Sequence, residues 1–167
     1  METPTLPKTW QEGNCHCGAI RFRALLPPLT TTAASAAATT TPDADKEADN
    51  RHTVVDCDCS ICTRNGLLNV FPDKDEVRVR LGNSSAEFTP GAPELRTKEA
   101  GLGYYMFGGK KLEHVFCLTC GSSVWASMVA EGPNVMAINV RMLRDVDVRD
   151  LRLKQFAGKN LDPVYNV

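Results

Sequence analysis

Residues 56–66 read "DCDCSICTRNG", placing Cys57, Cys59 and Cys62 within six positions of a chain that holds seven cysteines in all. The other four form two pairs, Cys15-x-Cys17 in "CHCG" and Cys117-x-x-Cys120 in "CLTCG", so no cysteine falls outside a cluster. Zinc takes four ligands in a tetrahedron with sulfur about 2.3 Å away, and a structural site fills that shell with protein groups. Seven thiolates divide naturally as four plus three. Each pair is followed directly by a glycine, Gly18 or Gly121, where a tight turn brings backbone N–H groups toward the sulfurs. The two pairs therefore read as halves of one closed site, a staple between distant parts of a small domain. The triplet keeps three sulfurs, the protein-ligand number of a catalytic zinc with an exchangeable fourth position. The alternative is a second structural site completed by His52, His114 or Asp58. Asp58 lies between two ligands, where reaching the same ion is awkward. His16, between two ligands of the other group, is expected to face solvent or bond to backbone.

Outward from the cysteines the pattern is mostly β. "VRVRL" (Val77–Leu81) alternates strictly, "VMAINV" (Val135–Val140) is a short β-branched apolar run, and "SSVWASMV" (Ser122–Val129) follows the last cysteine pair. Gly82, Pro90-Gly91, Gly108-Gly109 and Gly132-Pro133 punctuate these runs at spacings suited to antiparallel strands joined by turns. The segment "RDVDVRDLRLKQF" (Arg144–Phe156) fits two short strands interrupted near Asp150 about as well as a helical turn, and strand is favoured. Residues 26–52, "LPPLTTTAASAAATTTPDADKEADNRH", are Thr/Ala-rich, then acidic, with no aromatic residue. Such a segment buries too little apolar area to offset its ordering entropy, so a flexible insertion over about 28–51 is expected. A helical turn or two at "AASAAA" is the alternative.

A chain of 167 residues is long enough for one domain with a hydrophobic core. Its net charge of −1 and pI near 6.3 provide no overall basic field, so neither nucleic acid nor an anionic membrane is expected as a partner. No apolar run approaches the ~20 residues that span a bilayer, and "METPTLPKTWQEG" lacks the features of a signal peptide. The expected compartment is the cytoplasm, with the nucleus possible. Thiols stay reduced there, so clustered cysteines point to metal or catalysis before disulfides.

As an ordered set, "GNCHCGAIRF", "DCDCSICTRNG" and "FCLTCGSSV" resemble the three motifs of the glutathione-dependent formaldehyde-activating family, which also includes centromere protein V. The likeness spans residues 13 to about 142, with a longer gap between the first two motifs than is usual there. It implies an all-β fold, a zinc-stapled β-tent of twisted antiparallel sheets. It also implies two zinc ions, a structural one on Cys15, Cys17, Cys117 and Cys120 and a catalytic one on Cys57, Cys59 and Cys62. The implied activity is a carbon–sulfur lyase with glutathione as co-substrate, joining glutathione and formaldehyde reversibly as S-hydroxymethylglutathione. Two routes suit a three-thiolate zinc: the thiol enters as fourth ligand, or the metal polarises the aldehyde oxygen. A fourth thiolate would leave the site doubly negative, so a nearby cation is needed, and Arg64 is the best placed. Lys110 and Lys111 are candidates for glutathione's carboxylates. Trp125 and Phe116 read as core, while Tyr104, Tyr105 and Phe107 read as either pocket or core. The reading from a different class is a non-catalytic zinc module that binds a protein partner. A centromeric role is not expected, since the chain lacks a long basic arm.

Overall fold

Alternation of apolar and charged residues builds the first sheet. In β2 (Ile20–Leu26) the residues Ile20, Phe22, Ala24 and Leu26 are buried while Arg21 and Arg23 are exposed, the period-two pattern of a strand with one wet face. β1 (Thr9–Asn14) and β5 (Val77–Leu81) flank it, antiparallel on both sides, in the order β1-β2-β5. The computed structural model of the protein describes residues 6–30, 51–90, 100–129, 133–161 and 165.

The second sheet has seven strands in the order β10-β3-β4-β9-β8-β7-β6. They are β3 (Thr53–Cys57), β4 (Leu68–Val70), β6 (Leu102–Tyr105), β7 (Leu112–Cys117), β8 (Ser123–Met128), β9 (Met136–Asn139) and β10 (Arg152–Phe156). The chain is thus all-β, with one short α-helix among the described residues, α1 (Ser60–Asn65). Pairing is antiparallel except at one edge, where β10 runs parallel to β3. That pair departs from the expected antiparallel sheets. A parallel neighbour needs a long crossover, and nearly a hundred residues separate the two strands in sequence.

Both inner faces meet in one core: Phe22, Ala24, Val77 and Val79 from the first sheet, Val70, Val115, Val124, Met136 and Ile138 from the second. Trp125 lies in this core, as expected. The expected strand at Val77–Leu81 forms and that at Ser122–Val129 forms over Ser123–Met128, whereas "VMAINV" is strand only over Met136–Asn139 and then turns as a 3-10 helix over Val140–Met142. Asn139 causes the stop, since its side chain accepts the Arg141 N–H at 3.2 Å and offers the backbone a partner outside the ladder. The first half of Arg144–Phe156 is likewise a 3-10 turn, Val148–Asp150, in place of the favoured strand. Asp147 begins it by accepting the Arg149 N–H at 2.9 Å.

Of the insertion expected over about 28–51, residues 31–50 lie outside the described residues. Its ends are tied together. The His52 N–H donates to the Pro28 carbonyl at 2.6 Å, and Leu29 is buried in the core.

Candidate metal centres

Two hairpin turns, one from each sheet, face each other to make the four-cysteine group. The β1–β2 turn carries Cys15 and Cys17, and the β7–β8 turn carries Cys117 and Cys120. The glycine after each pair is in the left-handed region, Gly18 at φ 76° and Gly121 at φ 73°, as expected from their positions in the motifs. These turns bring polar groups to the sulfurs: the Ile20 N–H donates to Cys15 Sγ at 3.2 Å, and the Ser122 hydroxyl lies 3.3 Å from Cys120 Sγ. The Cys15–Cys17 and Cys17–Cys117 sulfurs stand 3.6 and 3.7 Å apart. Four sulfurs arranged tetrahedrally about 2.3 Å from a zinc ion would be separated by about 3.8 Å, so this set fits such an ion. His16 is exposed, and its backbone N–H donates to Ser122 Oγ at 3.2 Å.

The triplet forms where β3 runs into α1. Cys57 ends the strand, Cys59 precedes the helix and Cys62 is buried within it, with Gly66 closing the helix at φ 60°. Their sulfurs all lie within 4.8 Å of one another, and no His, Asp or Glu joins the group among the described residues. The alternatives for a fourth ligand are therefore not brought in. Asp58 turns away and accepts the Lys159 N–H at 3.0 Å, with the Lys159 ammonium at 3.2 Å. Those contacts hold its carboxyl below the usual range. His114 lies instead among aromatic rings, stacked on Phe107 at 5.5 Å.

Two residues that buttress the triplet carry no signal in the sequence. Asn69 on β4 is buried and points its Nδ2 at Cys62 Sγ, 3.9 Å away. Gly158, in the 3-10 turn after β10, packs so tightly that a Cβ there would overlap Cys57 Sγ and crowd Cys59. Both contacts depend on strand neighbours far away in sequence, which local pattern does not reveal.

Register places the two groups at one end of the large sheet. The pairings Asp56↔Leu68, Asn69↔Asn139, Phe116↔Ser123 and Leu102↔Cys117 run across that end. Between the groups lies a cleft of about 450 Å³, lined by Ser60, Ile61, Arg64 and Asn65 on one side and by Tyr105, Phe107, His114 and Phe116 on the other. Tyr105 and Phe107 thus line the cleft, as does Phe116, which was expected in the core. Arg64 is on the cleft wall, with its Nη1 donating to the Ser60 carbonyl at 3.0 Å. Lys110 and Lys111 are not. They precede β7 at the opposite end of the sheet from Cys117, and Lys110 sits in a turn at φ 52°. The turn was legible from the glycines before it, but a hairpin tip points away from the metal end.

Burial sets the charge state of the free thiols. It pushes Cys15 up to about 12 and raises Cys57 and Cys62 above the ordinary thiol range, so these groups are protonated at neutral pH without a cation. Cys120 differs. Burial is the largest single influence and raises it, but hydrogen bonds from the Ser122 hydroxyl, the Ser122 and Cys17 backbone and Cys117 together outweigh that and draw it down to about 5. A bound cation would therefore displace protons from the buried thiols.

No family model matches the chain, and no curated protein matches it either. A solved structure does: a Rhodobacter sphaeroides protein determined as a Northeast Structural Genomics target. The likeness covers 83% of this chain and 93% of that one, at 25% identity and a TM-score of 0.50. It supports the all-β architecture. No helix among the described residues is long and apolar enough to cross a membrane.

Proposed function

We propose that this protein is a zinc-dependent carbon–sulfur lyase of the formaldehyde-activating type. Its substrate would be the adduct of an aldehyde with glutathione or a related small thiol. The observation that carries this reading is the triplet of Cys57, Cys59 and Cys62 beside an open cleft, with no fourth protein ligand in the group among the described residues. A zinc ion in such a setting supplies Lewis acidity and stabilises a bound thiolate. In the synthetic direction a sulfur–carbon bond forms, the carbonyl π bond breaks, and the thiol proton ends on the carbonyl oxygen. His114 is the cleft group able to carry that proton near neutral pH. Burial lowers its pKa and keeps the imidazole neutral. Arg64 supplies positive charge at the cleft wall for a substrate carboxylate. The aromatic row of Tyr105, Phe107 and Phe116 gives the cleft an apolar side and limits water there.

A structural role for the triplet is favoured by a different observation: Gly158 closes over Cys57, and no cysteine of the triplet lines the cleft itself. The test separates the two. Formaldehyde and glutathione combine unaided, so the initial rate with zinc-loaded protein is compared with a protein-free blank and with Cys59→Ser. Acceleration lost in that variant supports the lyase. In a cobalt-substituted sample, added glutathione should shift the thiolate charge-transfer bands. Zinc present with neither acceleration nor a shift leaves the non-catalytic module.

A further inference from the structure

The outer face of the three-stranded sheet holds an arrangement that has no role in the cysteine chemistry. Strand register sets Arg21 directly opposite Arg80 and Arg23 directly opposite Arg78. Like charges facing each other across a ladder are destabilising, yet two such pairs stand side by side. Arg144 joins them from the turn after the 3-10 helix Val140–Met142, its backbone N–H donating to the Glu12 carbonyl at 2.8 Å. These five arginines wall a groove of about 130 Å³ whose only carboxylates among the described residues are Glu12 and Glu87. The groove therefore carries an excess of three positive charges in a chain whose net charge is −1.

The two carboxylates are already engaged, Glu87 with Arg23 at 2.8 Å and Glu12 with Arg144 at 3.2 Å. Arg21 donates to the Gly18 carbonyl and Arg78 to the carbonyls of Asp75 and Val77. The carbonyl contacts orient the Arg21 and Arg78 guanidinium groups without neutralising them. Arginine's planar fork pairs best with carboxylate or phosphate oxygens.

We infer that this arginine-walled groove on the outer face of the three-stranded sheet is a binding site for a compact phosphate group. Its volume equals that of about four water molecules at ~30 Å³ each, which suits a phosphate or the end of a diphosphate. Glu12 and Glu87 line the groove together with the arginines, and they would repel a polyanion threaded continuously past them. That favours a small phosphorylated ligand over a nucleic-acid backbone. The site is independent of the proposed lyase activity, since none of its residues belongs to either cysteine group or to the cleft.

The test is calorimetric titration of zinc-loaded protein with pyrophosphate, inorganic phosphate and a single-stranded oligonucleotide at low ionic strength. Pyrophosphate should bind one to one and raise the melting temperature. Arg21→Gln with Arg80→Gln should weaken binding by about tenfold or more, and Arg80→Gln alone should weaken it in the same direction. Glu12→Gln or Glu87→Gln should strengthen it, and Lys154→Gln, on an exposed strand elsewhere, should leave it unchanged. No binding of pyrophosphate at millimolar concentration would overturn the inference. So would an equal loss in Lys154→Gln, or tighter binding of the oligonucleotide than of pyrophosphate.

Discussion

Gly158 lies against Cys57 with no room for a side chain: a Cβ on residue 158 would overlap the Cys57 sulfur. The turn that follows β10 is thereby part of the wall around the triplet, and the Lys159 N–H next to it fixes Asp58 at 3.0 Å. Gly158→Ala should shift Cys57 and weaken metal binding at the triplet by about 10- to 100-fold, the usual cost of disturbing a contact that orients a ligand. The four-cysteine group should be unaffected. Metal content by mass spectrometry after mild chelation should fall from two ions to one per chain.

The two cysteine groups differ in what they hold together. Cys117 is fully buried and its turn meets the Cys15–Cys17 turn of the other sheet, so a metal there joins the two layers of the domain. Cys117→Ser should destabilise the fold by more than about 4 kcal/mol, or leave the protein insoluble, because loss of a structural metal is among the few large mutational effects. Cys59→Ser removes a ligand from one end of a single sheet and should lose one metal while keeping a cooperative melt. Thermal denaturation followed by circular dichroism, alongside metal analysis, distinguishes the two outcomes.

Acid should act through His114. Burial lowers its pKa from 6.5, so the fold favours the neutral imidazole. The stability this contributes is present above 6.5 and is lost as pH falls from there through the lowered folded value. His52 shifts the same way, by burial and then by the charge of Lys8. The melting temperature should drop between pH 7 and 5. For the proposed reaction, the rate should fall below pH 6.5, where the folded protein's His114 protonates at its lowered pKa. His114→Phe should retain the stack on Phe107, abolish that acid limb and slow turnover about a hundredfold.

Because the Pro28 carbonyl and the His52 N–H already meet at 2.6 Å, a short bridge can replace residues 31–50. Cutting that closed loop to about a third of its length lowers its closure entropy by about 1 kcal/mol. For a domain of this size that corresponds to a rise of about 3 °C in melting temperature. A four-glycine replacement that melts lower than the parent would show instead that the excised residues pack on the core.

The partition of seven cysteines into four and three was legible because each half-site is local. Two cysteines and a glycine within four or five residues specify a turn whatever the rest of the chain does, and the left-handed Gly18 and Gly121 bear this out. Strict alternation likewise exposed Val77–Leu81 as a strand. Everything set by register stayed hidden. "VRVRL" and "IRFRALL" each show a charged face, but only their pairing sets arginine against arginine. The parallel docking of β10 on β3, which brings Gly158 to Cys57, is equally invisible to a local reading. Lys110 and Lys111 failed as candidates near the metal end for the same reason, since position along a hairpin decides which end a residue reaches.

Cys17 and Cys117, whose sulfurs end 3.7 Å apart, are a hundred residues apart along the chain. At ribosomal speeds of about 5–20 residues per second, roughly 5–20 s pass between their syntheses. During that interval the five earlier cysteines are made while their two later partners are not. Any metal captured then is held by a provisional set drawn from Cys15, Cys17, Cys57, Cys59 and Cys62. A metal captured early would therefore have to exchange ligands as the chain folds: Cys117 and Cys120 would reassign the first pair, and Gly158, made later still, would complete the wall beside Cys57.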